Sequence, residues 1–257
     1  MHPKITEIII DKLKVKIYDS RALLGVAAAH DVSEKIKELL SKQDCVNIIF
    51  AAAPSQNEFL SSLSQKALDW KRVNAFHMDE YVGLSKHDAR GFGNFLEKKI
   101  FDKLPFREVH YLDGSTGDPE GECERYTRLL RKYSTDIVCM GIGENSHLAF
   151  NDPHVADFND PLMVKIVLLA ETSRQQQVND NCFSRLEDVP TSAITITIPA
   201  LLKADAIYCV VPGINKAKAV YRTLKSDVQA GYPSTVLRKH NDTSLYLDIN
   251  SSSKIEF

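Results

Sequence analysis

The sequence predicts an α/β fold: a doubly wound, mostly parallel sheet with helices on both faces, in a single domain over residues 1–257. Short apolar runs recur along the chain, each with the length of a buried strand and each separated from the next by a segment with helical spacing. Several of these runs end abruptly in clusters of polar residues. No Pro-, Gly- or Ser-rich linker, internal repeat or low-complexity tract divides the chain.

The elements follow in order. Lys14 to Tyr18 alternates polar and apolar residues, as a short strand does, and Ser20 is placed to cap a helix that runs to Leu40. Cys45 to Ala52 is a buried-strand run, followed by Pro54-Ser-Gln-Asn-Glu58 and a helical pattern through Phe59, Leu60, Leu63 and Leu68. Asn74 to Met78 reads as a strand ending at Asp79-Glu80, and 92–100 as a helix. Glu108 to Leu112 is a strand closed by a polar turn, and Glu120 to Tyr133 an amphipathic helix. Asp136 to Met140, the β-branched run Ser192 to Ile198, Ala206 to Val211 and Ser244 to Asp248 complete the strands. Residues 152–190 show little periodicity and read as a long insertion.

Composition excludes several functions. Apolar residues make up 44% and charged residues 26% of the chain, ordinary for a globular protein. The formal net charge is -2 with no dense Lys/Arg tract, which argues against nucleic acid as the partner. The five cysteines are scattered without a CxxC pair, so neither a disulfide framework nor a structural zinc site is expected. No apolar run has the roughly 20 residues needed to cross a bilayer. Ile8 to Ile10 is too short for a signal-peptide core, and a reducing cytoplasm is the expected setting.

Four strand ends carry polar groups: Ser55-Gln56-Asn57, Asp79-Glu80-Tyr81, the stretch Gly141-Ile-Gly143-Glu-Asn145-Ser-His147-Leu-Ala-Phe-Asn-Asp152, and Gly213-Ile-Asn-Lys216. In a parallel sheet all four face one edge, where ligands bind. His147 has the side chain whose ordinary pKa lies nearest neutrality. Asp152, five residues on, can orient it or cap a turn before Pro153. Asp79 or Glu80 can serve as a general base, with a helix N-cap as the bland alternative. Lys216, at a helix start, suits an anion or is a plain surface lysine. Gly141 and Gly143 lack the third glycine of a dinucleotide loop, Ser55 lacks the setting of a hydrolase nucleophile, and His147 has no HxH or HxxxH partner for a metal.

Phe76-His-Met-Asp79-Glu80-Tyr81-Val-Gly-Leu84 resembles the F-x-M-D-E-Y-x-G-L motif of the glucosamine-6-phosphate deaminase (isomerase) family. The Gly141–Pro153 stretch is similar to that family's G-x-G-x-D-G-H-I-A-F-N-E-P, Gly213-Ile-Asn-Lys216-Ala to its G-x-x-K-A, and Pro233 to His240 to its C-terminal ending. The resemblance implies a Rossmann-like fold and aldose–ketose isomerisation of an amino-sugar phosphate with loss of ammonia, without metal or redox cofactor. It makes Asp79 the base between C2 and C1, His147 the ring-opening group, and Asp152, in place of the family's Glu, the group orienting His147. Lys216 would hold the phosphate, with Ser55, Gln56, Glu80 and Gly143 completing the substrate site, and homo-oligomers follow by resemblance alone.

Departures from the pattern are specific. Asn145 replaces an Asp, Ser146 replaces a Gly, and Ala51-Ala-Ala-Pro-Ser55 replaces the Gly-rich T-G-G-T/S-P loop. The family's phosphate-binding arginine has no counterpart in register at 178–183, leaving Arg174 and Arg238 as the substitutes to test. Two other activities stay open on the sequence: a lactone hydrolase of the 6-phosphogluconolactonase type, whose D-E-R and G-H-T-A-S-L-F-P segments this chain lacks, and a non-catalytic sugar-phosphate sensor.

Overall fold

The computed structural model describes residues 4–256. An eight-stranded sheet is built from β1 (Lys4–Ile10), β2 (Leu13–Tyr18), β3 (Val46–Phe50), β4 (Val73–His77), β6 (Glu108–His110), β7 (Ile137–Met140), β10 (Ala206–Val211) and β11 (Thr243–Asp248). Their spatial order is β1-β2-β11-β10-β7-β3-β4-β6. Every neighbouring pair is parallel except β1–β2, which is antiparallel.

Alternation along the central strands divides the core between the two faces. Val46, Ile48 and Phe50 of β3 join Ile137 and Cys139 of β7 beneath α1 (Arg21–Leu40), α2 (Asn57–Leu63) and α3 (Phe92–Lys99). Ile49, Val138 and Met140 point the other way, toward α4 (Pro119–Lys132) and α7 (Ala217–Lys225). This is the doubly wound arrangement in which strands buried on both faces read as continuous apolar runs. Ser20 caps α1 as its residue type suggests, its hydroxyl accepting from the Leu23 N–H at 3.3 Å.

Three features depart from the sequence reading. The run from Ser192 does form a strand, β9 (Ser192–Ile196), but it belongs to a separate three-stranded antiparallel sheet with β5 (Asp79–Tyr81) and β8 (Val164–Leu168). The segment 152–190 is not an irregular insertion: it supplies β8 and then α5 (Glu171–Asn179). The run ending in Ile8 to Ile10 is part of the edge strand β1.

From β3 the chain proceeds to its neighbour β4 on one side; from β7 it proceeds to β10 on the other. The connections therefore diverge between β3 and β7, and a crevice opens beyond the carboxyl ends of those strands.

Candidate active site

The chain beyond β4 is held by a histidine that the sequence reading passed over. His77 is fully buried; its Nε2 accepts the Leu112 N–H at 2.8 Å, so its Nδ1 carries the proton and donates to the Asp79 carbonyl at 2.9 Å. Burial pushes this imidazole down to about 4, so it stays neutral. With its backbone fixed in this way, Asp79 enters β5 and pairs with Thr195 of β9.

Asp79 lines the crevice and is 7% exposed. Burial, reinforced by the charge of Glu80, raises its carboxyl well above the usual range. Among the described residues no donor hydrogen-bonds that carboxyl, so nothing offsets its desolvation.

Glu80 does not line this crevice, which corrects its expected place in the substrate site. Strand alternation turns it to the opposite side. There Oε1 accepts the N–H groups of Tyr81 at 2.9 Å and Phe92 at 3.1 Å, and Oε2 accepts that of Gly93 at 2.9 Å. It satisfies the first turn of α3, where a carboxylate also meets the positive end of the helix dipole.

Beyond β7 the loop folds tightly. The Gly143 N–H donates to the His147 carbonyl at 3.0 Å, and the His147 N–H donates to Asn145 Oδ1 at 3.1 Å. His147 lies so close over Gly143 that a Cβ there would sit 2.2 Å from ring atoms Cε1 and Nε2. His147 Nδ1 lies 3.1 Å from Asp152 Oδ1 and 3.0 Å from Ser173 Oγ. The Asp152 carboxylate can only accept, so Nδ1 carries the ring proton that faces it, and Nε2 is the nitrogen left to exchange a proton with a ligand.

Asp152 is fully buried and heavily partnered. It accepts from Asn145 Nδ2 at 2.9 Å, from the Ala170 N–H at 3.0 Å and from the Ser173 hydroxyl. Burial alone would raise its pKa, but His147, Asn145 and Ser173 outweigh burial and hold the carboxyl well below its ordinary range. Asn145 is thus a bracket between His147 and Asp152 and does not itself line the crevice.

Ser146, where the resembling motif has glycine, sits at φ 76° with its buried hydroxyl unpartnered. Left-handed backbone costs an L-residue about 1–2 kcal/mol, of which the greater chain entropy of glycine cancels part. Ser146→Gly is expected to stabilise the protein by about 1 kcal/mol in urea unfolding, with no loss of ligand binding. A destabilised variant would show that the serine is held by something other than strain.

At the end of β3, Ser55 and Gln56 both line the crevice. Gln56 Nε2 donates to the Val210 carbonyl at 3.0 Å and to Ser55 Oγ at 3.1 Å, tying the segment after β3 to strand β10. Beyond β10, Lys216 lines the same crevice at 7% exposure. Burial lowers its pKa, opposed by the more distant charges of Asp180 and Glu144. Among the described residues no carboxylate forms an ion pair with it. A buried ammonium without a partner is costly and suits an anionic ligand.

The crevice therefore gathers Ser55, Gln56, Asp79, Gly143, His147 and Lys216, with Asp152 and Asn145 behind His147. It also receives Gln176 and Gln177 from α5, with Ser173 of the same helix behind His147. The sequence carried one sign of this: Thr172-Ser-Arg-Gln-Gln-Gln177 is a polar run without apolar spacing, as expected of a helix that turns polar groups toward a site. Neither arginine offered as a substitute reaches the crevice. Arg174 donates to the carbonyls of Leu186 and Val189, and Arg238 to those of Leu224 and Ser226.

A family model described as glucosamine-6-phosphate isomerases/6-phosphogluconolactonase matches residues 19–246. The chain belongs to this family. It is 34% identical over 219 residues to a glucosamine-6-phosphate deaminase from Exiguobacterium sp., covering 85% of this chain and 84% of the relative. A glucosamine-6-phosphate deaminase from Bacillus cereus is 34% identical over 213 residues, covering 83% and 79%. Among solved structures, a monomeric glucosamine-6-phosphate deaminase superposes with a TM-score of 0.85 and 25% identity, over 93% of this chain and 98% of its own. A 6-phosphogluconolactonase from Thermotoga maritima superposes with a TM-score of 0.76 over 92% and 100%, but at 18% identity it shows the fold alone. These superpositions show that both solved proteins share the doubly wound fold found here.

Proposed function

We propose that this chain converts an amino-sugar phosphate, of the glucosamine-6-phosphate or galactosamine-6-phosphate type, to the ketose phosphate and ammonia. The observation that carries the reading is the gathering of Asp79, His147 and the unpaired Lys216 in one crevice. The deaminase relatives at 34% identity over most of the chain support it.

In this reading Lys216 takes the phosphate. His147 Nε2 accepts the proton of the anomeric hydroxyl and returns one to the ring oxygen, opening the pyranose. Asp79 removes the proton from C2 of the open aldehyde, and the electron pair moves to O1, which takes up a proton released by the substrate's own ammonium, to give an enol-amine. Return of the proton to C1 gives the 2-imine, which water hydrolyses to the ketose and ammonia. Burial suits Asp79 to this work: a carboxylate held above its usual pKa is a stronger base and shares its proton more evenly with a weak carbon acid. Asp152 and Asn145 keep the His147 proton on Nδ1.

The proposed setting is the cytoplasm; among the described residues no helix is long and apolar enough to cross a membrane. The deciding experiment is ammonia release from a panel of phosphorylated and free amino sugars, alongside hydrolysis of 6-phosphogluconolactone. Ammonia from glucosamine or galactosamine 6-phosphate is the expected result; lactone cleavage without ammonia would replace this reading with a lactonase.

A further inference from the structure

Lys216 is the one lysine or arginine lining the crevice among the described residues. A dianionic group bound there therefore meets a single fixed positive charge, and its remaining oxygens need other donors. α5 supplies them. Gln176 is already committed: Oε1 accepts the Glu144 N–H at 2.9 Å, and Nε2 donates to Asp180 Oδ2 at 3.4 Å. Glu144 and Asp180 are also the two carboxylates whose charges bear on Lys216, so Gln176 spans the surroundings of that ammonium. Gln177, the next residue, is different. It is 8% exposed and lines the crevice, yet among the described residues its side-chain amide makes no hydrogen bond, while its carbonyl accepts from Cys182 and Phe183.

Among the described residues no protein group competes for either end of this amide, and its polar atoms stay open to the crevice, available to pair with a ligand. We propose that the Gln177 amide donates to the anionic group held by Lys216, making Gln177 a specificity-determining residue of this crevice. The ligand class is an amino sugar bearing a phosphoryl group at the end remote from its amine. Recognition of that group then depends on one charge and a neutral donor rather than on two cations. The inference rests on the deaminase reading for its substrate, but not for its anion.

Gln177→Glu keeps the shape, removes the donor and adds a negative charge. Gln177→Ala removes the donor alone. Three quantities test the proposal: KM and kcat for glucosamine 6-phosphate, and the affinity for inorganic phosphate measured by calorimetry. Loss of a hydrogen bond to a charged group corresponds to about a tenfold rise in KM for Gln177→Ala, with more for Gln177→Glu. The phosphate affinity should fall in parallel, and kcat should stay within about twofold, because the contact is the same in ground and transition states. Unchanged phosphate affinity in folded Gln177→Glu would overturn the inference, as would a loss confined to kcat. Thermal unfolding of each variant establishes that it is folded; Gln177→Ala replaces Gln177→Glu as the deciding variant if the latter is not. If the parent releases no ammonia from any amino-sugar phosphate, the deaminase reading fails, while the phosphate affinities of parent and variants still decide the role of Gln177.

Discussion

Asp79→Asn is expected to lower ammonia release by about 10²–10⁴-fold while leaving equilibrium binding of glucosamine 6-phosphate nearly intact. The amide fills the same space but cannot take a proton from carbon. The parent should show a second signature. A base must be ionised to act, and burial raises this one, so the parental kcat/KM should climb with pH through a midpoint above the ordinary carboxylate range. Asp79→Asn should lack that limb. Stability should move the other way. Because the folded pKa is raised, the stability linked to this carboxyl is complete below its unfolded value near 3.9 and is lost as pH rises through the folded value. At neutral pH the parent carries that penalty and the variant does not, so Asp79→Asn should melt at a higher temperature. Turnover at the parental rate would remove Asp79 from the reaction.

Gly143→Ala tests the other half of the proton machinery without replacing a reacting group. The new methyl would lie 2.2 Å from His147 Cε1 and Nε2 and 2.4 Å from Nδ1, so the ring must leave its place above the loop. Displacement of a reacting group by an ångström can cost about 10²-fold in rate, and the strain of overpacking about 1–3 kcal/mol in stability. Inorganic phosphate should bind as in the parent, because Lys216 is carried by a different strand end. Pairing the substitution with His147→Ala vacates the space the methyl needs. The double variant should therefore be more stable than Gly143→Ala alone and no slower than His147→Ala alone. Full activity in Gly143→Ala would mean that the ring position is irrelevant to turnover.

The parts of this protein that were legible in its sequence are those governed by apolar burial. β3, β7 and β10 are short apolar runs, and their polar continuations at Ser55, His147 and Lys216 converge because parallel strands share an edge. What escaped the reading is governed by polar contacts. α5 buries Ser173, Gln176 and Gln177 against the crevice, so it has no apolar stripe for periodicity to detect. β5 spans only Asp79 to Tyr81, too short for alternation to register, and its pairing with β9 depends on a partner more than a hundred residues away. That pairing also decides between Asp79 and Glu80: adjacent carboxylates are equivalent in the sequence, and the pleat sends one to the crevice and the other to the start of α3.

The imidazole that ties Leu112 to the carbonyl of Asp79 has a bearing on how pH profiles of this protein are to be interpreted. It lies in a sealed interior with its single proton committed, so it does not change charge anywhere near neutrality. An inflection in that range therefore reports on other groups, and the scaffold under the catalytic carboxylate keeps its shape while they titrate. In a titration followed by magnetic resonance, the His77 ring should show no shift change near neutrality, and its ring proton should be shielded from exchange.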